Sequence, residues 1–137
     1  MCIRDSFNQW KSRYGTHVQS IRMISCRGRN VWSRQNKRWS TAAIGEDSRG
    51  RILFIHVRSP YPTHDLINML QALPLDLARA MYLEGGPEAQ LFVGINGTEH
   101  EFLGGFANAV DEKSNNHIAW PIPNVIGIVK RNRPQAP

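Results

Sequence analysis

The sequence has no long hydrophobic run and little cysteine. None of its stretches approaches the roughly 18 consecutive apolar residues of a membrane-spanning helix, and no apolar segment typical of a signal peptide follows the amino terminus. The two cysteines, Cys2 and Cys26, are too few for a disulfide framework and are not spaced as a metal-binding pair. The sequence therefore favours neither a protein with membrane-spanning helices nor a small disulfide-stabilised domain.

Two common kinds of catalytic site are also missing. No serine is flanked by glycines in the pattern of a nucleophile elbow, and no two of the five histidines have the spacing of a helical zinc site. His56 lies within an apolar run, where we predict a hydrogen-bonded sheet residue and not a ligand or base. We accordingly predict no metal site and no cofactor.

The composition is that of one globular domain. Hydrophobic residues make up 41% of the 137 residues and charged residues 20%, which suits a single core. The formal charge of +6 is unevenly spread: residues 1–38 hold nine Lys and Arg against one acid, whereas residues 39–129 hold five against ten acids. Nucleic-acid-binding domains more often spread basic residues over one folded face, so nucleic acid is not an expected partner.

The chain divides into three predicted segments. Residues 1–17 are polar without periodicity, and residues 1–6 resemble adapter-derived sequence from assembled environmental reads, so we expect a disordered or artefactual leader. Residues 18–130 form the predicted domain, and residues 131–137 form a flexible tail.

Alternating and continuous apolar runs predict a sheet. The predicted strands cover residues 18–25, 29–33, 39–46, 51–58, 80–83, 90–95, 98–102 and 124–129. Asn96-Gly97 predicts a type I′ hairpin turn, because both residue types tolerate positive φ. Gly104-Gly105 and residues 111–117 are predicted to form a mobile loop.

One amphipathic helix is predicted between the strands. Thr63 is its predicted N-cap, Asp65 suits the positive end of the helix dipole, and Pro74 ends the helix near Leu73. Residues 75–80 are predicted as a further short helical turn. The predicted fold is α+β: a mixed, mainly antiparallel sheet covered by about one main helix.

A carboxylate on a glycine turn is the strongest functional candidate. Glu84-Gly85-Gly86 follows a predicted strand, and paired glycines allow a tight turn and close approach of a ligand to the backbone. Glu46 and Asp47, at another strand end, are candidates for a second carboxyl group, because glycoside cleavage generally uses two. Arg58 is a candidate phosphate ligand, because a guanidinium group makes paired bonds to phosphate. The respective alternatives are an ordinary turn, a polar hairpin and a surface arginine.

Several segments together resemble the phosphodiester glycosidase family. The matching segments, in consistent order, are Thr41-Ala42-Ala43-Ile44-Gly45, Gly50-Arg51-Ile52-Leu53-Phe54, the helix at residues 63–73, Leu83-Glu84-Gly85-Gly86-Pro87-Glu88 and Pro123-Asn124-Val125-Ile126-Gly127. The fourth segment corresponds to the hallmark of the family, a strand ending Leu-Asp-Gly-Gly-Gly-Ser. The likeness spans about residues 18–130, and the Glu-Gly-Gly-Pro-Glu-Ala version resembles a bacterial branch.

The resemblance implies hydrolysis of a sugar 1-phosphodiester at its glycosidic bond. Glu84 takes the place of the acid in the hallmark, Gly85 and Gly86 provide backbone approach, and Asn124 and Thr41 are assigned to substrate binding. With these, Glu46 or Asp47 would assist catalysis and Arg58 would hold the phosphate.

Three departures from the family pattern affect this assignment. Glu84 replaces Asp, Pro87 and Glu88 replace the third glycine and the serine, and an upstream segment usual in the family is expected to be missing. The chain is therefore predicted to be an incomplete domain, truncated at its amino terminus, that can be inactive as a fragment.

Two other functions stay open. A non-catalytic module that binds carbohydrate or the cell envelope is the first alternative, because the hallmark is altered. The second is a nucleic-acid or anionic-surface binder that uses residues 1–38. The expected partner is a sugar phosphodiester or an envelope glycan, and the full-length protein is expected to be periplasmic, envelope-associated or secreted.

Overall fold

The computed structural model describes residues 10–105 and 116–130, so residues 1–9 of the predicted leader, 111–115 of the predicted loop and the tail at 131–137 lie outside it. The elements are β1 (Ile21–Ile24), β2 (Trp39–Asp47), β3 (Ile52–Tyr61), α1 (Thr63–Ala72), β4 (Leu77–Gly85), a 3-10 helix (Gly86–Glu88), β5 (Gln90–Ile95) and β6 (Thr98–Leu103). The predicted α+β class is confirmed.

Four strands form one sheet in the order β1-β4-β2-β3, and β5 and β6 form a separate hairpin. Every pairing in these described strands is antiparallel. β2 is an inner strand and pairs with both β3 and β4. Its buried residues are small apart from the last one: Ser40, Thr41, Ala42, Ala43, Gly45 and Asp47. Small side chains on both faces of β2 allow other elements to pack closely against it.

β4 contains a bulge close to its carboxyl end. Ala43 pairs with Tyr82, and the preceding Ala42 pairs with Glu84, so Leu83 is the extra residue. One extra residue in a strand reverses the face to which the following side chains point. Glu84 therefore shares a face with Ala42, on the opposite side of the sheet from Ala43.

α1 covers the face of the sheet that includes Ala43. Its buried apolar residues pack into one core with residues of β1, β2 and β4: Met23, Ile24, Ala43, Leu66, Ile67, Leu70, Leu77 and Ala80. The helix ends at Ala72, as Pro74 predicts. No helix in residues 10–105 and 116–130 has the length and apolar character needed to cross a membrane.

The predicted N-cap of α1 is wrong. Thr63 is the first helical residue, and Pro62 occupies the cap position, where no side chain caps the helix. The Thr63 side chain is instead fully buried, and its Oγ1 has no hydrogen-bond partner among the described residues. Burial against the sheet thus outweighs capping at this position.

Two further predictions of secondary structure are wrong. Residues 75–80 are not helical, because β4 begins at Leu77 and the backbone there bonds to β2. Residues 29–33 do not form a strand and contribute only a single bridge, between Asn30 and Ile24. The Asn30 side chain donates instead to the His64 carbonyl of α1, at 2.8 Å. In both segments, tertiary contacts override the local pattern.

The predicted strand at residues 124–129 is also wrong. The segment is irregular in the structure and belongs to neither described sheet. Val125 and Val129 are 78% and 87% exposed. Apolar, β-branched residues favour a strand only where a neighbouring strand can pair with them, and none of the described strands does so here.

The β5–β6 hairpin lies against β3 on the face opposite α1. Asn96 and Gly97 have φ values of 53° and 79°, which confirms the predicted type I′ turn. The Phe102 ring of β6 lies 6.1 Å from the His56 ring of β3. The sheet is therefore covered by a helix on one face and partly by a hairpin on the other.

We expect Ile67→Ala to destabilise the domain by about 2–5 kcal/mol, because Ile67 of α1 is fully buried in the core and its truncation leaves a cavity. Met69→Ala on the same helix is the control, since Met69 is 45% exposed and an exposed truncation costs about 0.5 kcal/mol or less. Urea unfolding measures both variants. Equal losses would show that α1 does not cover the core.

Candidate active site

Glu84 stands in a row of residues that crosses three strands. Ala42 pairs with Glu84 of β4 on one side and with His56 of β3 on the other, so all three side chains share the face opposite α1. Neighbouring strands lie about 4.8 Å apart, which separates the Glu84 and His56 backbones by about 10 Å. The Glu84 side chain is exposed, and its Oε1 accepts the Gly85 N–H at 3.0 Å.

The two glycines after Glu84 are required for different reasons. Gly86 has φ +69°, a left-handed conformation that favours glycine. Gly85 has ordinary extended backbone, but a Cβ there would meet the Tyr82 hydroxyl and would lie 2.8 Å from Cδ1 of Trp39. Steric contact excludes a side chain at Gly85, whereas backbone conformation excludes one at Gly86.

The turn that follows is held by side chains from outside it. The turn closes through the Ala89 N–H, which bonds to the Gly86 carbonyl at 3.1 Å. His56 Nε2 lies 3.0 Å from the Ala89 carbonyl, and the Gln90 amide donates to the Pro87 carbonyl at 3.2 Å. Burial lowers the pKa of His56, opposed by its bond to Ala89, and the Arg58 guanidinium lowers this pKa further. A neutral imidazole donating through Nε2 fits these contacts and confirms the predicted role of His56 as a sheet residue.

Tyr82 lies close to two carboxylates of this region. Burial raises the pKa of Tyr82 to about 12, and the negative charges of Glu84 and Glu88 contribute to that increase. The phenol is therefore neutral at any physiological pH and can act as a hydrogen-bond donor. Glu88, which ends the 3-10 turn, was not predicted as a site residue. Its charge and its position four residues after Glu84 are the sequence signals that identify it.

Glu46 and Asp47 do not join this region. Glu46 pairs with Arg79, four residues along β2 from the Ala42–Glu84 pair, which is a separation of about 13 Å. Its carboxylate bonds to the Arg79 guanidinium at 3.0 Å. The Asp47 carboxylate is buried within its own hairpin, where it accepts the N–H groups of Arg49 and Arg51 and pairs with the Arg51 side chain at 2.6 Å. Asp47 therefore stabilises a turn, as the alternative interpretation of this segment expects.

Thr41, Arg58 and Asn124, the other predicted substrate-binding residues, differ in their accessibility and in their distance from Glu84. Thr41 is fully buried beside Gly85 on the α1 face, so it is not accessible from the face of Glu84. Arg58 follows His56 by two residues in β3, where the pairing with β2 becomes irregular, and its Nη2 donates to the Asn116 carbonyl at 3.4 Å. Asn124 is exposed in the irregular segment and is not in a closing strand. Of the three, Arg58 has the most suitable position.

A match to a protein-family model identifies the family of this chain. The model described as phosphodiester glycosidase matches residues 4–129 of the 137. The chain belongs to the phosphodiester glycosidase family. No curated protein and no solved structure matches the chain.

In this phosphodiester glycosidase domain, the family match includes the whole region around Glu84. Among the described residues of the domain, no group of three or more His, Cys, Asp or Glu side chains is arranged to hold a metal ion. Near the turn, the domain presents the carboxylates of Glu84 and Glu88 and the Arg58 guanidinium for chemistry.

We expect Asp47→Asn to lower the stability of this glycosidase domain in a pH-dependent way. Hydrogen bonds from the Arg51 backbone, and further bonds from its side chain and from Arg49, outweigh burial and hold the pKa of Asp47 below its ordinary value. The contribution is therefore complete above the unfolded pKa of about 3.9 and is lost as pH falls through the lower folded pKa.

The measurement is the difference in urea midpoint between wild type and Asp47→Asn at about pH 7 and about pH 3, where the unfolded carboxyl is mostly protonated. The deficit should be larger at the higher pH. Glu101→Gln, which alters an exposed carboxylate of β6, is the control. An equal deficit at both values would attribute the effect to packing and not to charge.

Proposed function

We propose that this domain hydrolyses a sugar 1-phosphodiester at the bond between the anomeric carbon and the phosphate oxygen. Water supplies the oxygen that joins the anomeric carbon, and a proton returns to the phosphate oxygen that leaves. The observation that carries the proposal is the position of Glu84: an exposed carboxylate in β4, paired with β2 and two residues before the Gly86–Glu88 turn, within a chain that belongs to the phosphodiester glycosidase family.

Glu88 is proposed as the second carboxyl group. Glycoside hydrolysis generally needs one carboxyl group to transfer a proton and another to activate water or to attack. Glu46 is about 13 Å away along β2, and Asp47 is occupied by its hairpin. Glu88 lies four residues after Glu84, at the end of the 3-10 turn that follows β4. Tyr82 pairs with Ala43 on the α1 face, so its phenol is not assigned to the site.

Arg58 is proposed to hold the phosphate. It is exposed, its charge acts on His56, and its planar guanidinium suits a phosphodiester oxygen pair. We further propose a bacterial, exported setting with an envelope glycan as the source of the substrate. This rests on the resemblance of the Glu-Gly-Gly-Pro-Glu-Ala version of the hallmark to a bacterial branch of the family.

A second candidate is binding of a sugar phosphodiester without turnover. Pro87 favours it, because this buried residue has no N–H in a turn where the family hallmark has a third glycine. A missing backbone donor removes one group able to stabilise developing negative charge. Saturable binding of the substrate panel described below, with no product formed, would support this candidate.

We expect Glu84→Gln and Glu88→Gln each to lower kcat by about 10²–10⁴-fold, the usual contribution of a general acid or base. The substrates are a panel of hexose 1-(methyl phosphate) diesters, and release of reducing sugar is measured. The control is Glu99→Gln, an exposed glutamate of β6. Turnover in water enriched in ¹⁸O identifies the bond that breaks, since glycosidic cleavage leaves the phosphate product without ¹⁸O.

The results separate the two claims. Wild-type turnover with ¹⁸O in the phosphate would contradict glycosidic cleavage. Glycosidic turnover that Glu84→Gln leaves unchanged would remove Glu84 from the mechanism. A loss of activity in Glu84→Gln alone, with Glu88→Gln unaffected, would contradict only the assignment of Glu88.

A further inference from the structure

Gly104, which follows β6, packs directly against the Gly86–Glu88 turn. A Cβ at Gly104 would meet the Gly86 carbonyl oxygen and would lie 2.7 Å from the Ala89 carbonyl oxygen. These are backbone atoms, which cannot swing aside as the end of a side chain can. Gly104 does not have positive φ, so the reason for glycine here is close approach and not backbone conformation.

Ser40 fixes the segment that carries Gly104. The Ser40 hydroxyl accepts the Gly105 N–H at 2.8 Å and donates to the Arg58 carbonyl of β3, and the Ser40 N–H lies 3.4 Å from the Gly105 carbonyl. Ser40 is fully buried, so these bonds are sheltered from water. One hydroxyl group thus connects β2, β3 and the residues that follow β6.

Asn116 holds Gly104 from a second direction. Its side-chain amide donates to the Gly104 carbonyl at 2.7 Å, and its own carbonyl accepts from Arg58 Nη2. The Gly104 carbonyl therefore accepts from Asn116, the neighbouring Gly105 is bonded to Ser40, and the Gly104 backbone packs against Gly86. These bonds fix Gly104 at the place where it packs against the turn.

We propose that Ser40 and Gly104 are positioning residues for the candidate active site. They hold the Gly86–Glu88 turn at a fixed position relative to the sheet. The inference rests on the proposed function, because the turn matters through the carboxylates of Glu84 and Glu88 at its two ends. Neither Ser40 nor Gly104 touches substrate in this account. A displacement of about 1 Å in a catalytic group can cost about 10²-fold in rate, which makes positioning of this kind measurable.

The main test compares Gly104→Ala with Gly94→Ala. Gly94 lies in β5, in the hairpin that Gly104 follows, and its added Cβ would meet the Phe92 side chain at 3.3 Å. Gly104→Ala should move the turn, shift the NMR amide signals of Gly86 and Ala89, and lower kcat by about 10–100-fold with KM changed much less. Gly94→Ala should leave the kcat and both amide signals close to wild type.

Ser40→Ala keeps the test informative if Gly104→Ala does not fold. It removes the hydroxyl bonds without adding any atom, so it should shift the same two amide signals and lower kcat in the same direction. Ser48→Ala, an exposed position beyond the other end of β2, is its control. All variants are assayed in the full chain, at a temperature where each is folded.

The outcomes distinguish this inference from the proposed function. No turnover by wild type would overturn the proposed function, and the amide signals would still decide whether Ser40 and Gly104 set the turn. Unshifted signals of Gly86 and Ala89 in the variants would overturn the positioning role. Shifted signals with wild-type kcat would overturn it as well. Lower stability with kcat unchanged would mean that the residues support the fold and not the site.

Discussion

The pairing of β2 with β4 is the interaction on which the rest of the structure depends. It places Glu84 opposite Ala42, and it places Glu46 at the far end of the same ladder. Because the buried side chains of β2 are small over most of its length, α1 can pack on one face while the Ser40–Gly105 contacts form on the other. The site and the core therefore share one strand, and neither is built independently of the other.

The sequence predicted best those elements whose pattern is local. Alternation and apolar content located β2 and β3, Pro74 ended the helix, and Asn96-Gly97 gave a hairpin turn with both residues at positive φ. The failures fall where a partner decides the conformation. Residues 75–80 became strand because β2 was available to pair with them, and residues 124–129 did not become strand because no described neighbour pairs with them.

The same distinction applies to the candidate site. A turn close to Glu84 was predictable, because a glycine pair and a carboxylate at a strand end are visible in one sequence, but β4 extends to Gly85 and the turn begins at Gly86. The grouping of the carboxylates was not predictable. The distance between Glu46 and Glu84 depends on the register of β2 against β4, which the sequence alone does not show. The role of Gly104 was equally hidden: a glycine needed for close approach looks the same in sequence as a glycine in a mobile loop, and only the contact with Gly86 distinguishes them.

The bulge at Leu83 has a consequence for how the family diverges. A strand alternates its side chains, so the face of Glu84 is decided by the number of residues between Tyr82 and the turn and not by their identity. A relative that lacks one residue here would keep the Glu-Gly-Gly letters and yet present its carboxylate to the helix side of the sheet. In this segment, the number of residues determines the position of the carboxylate as much as their identity does.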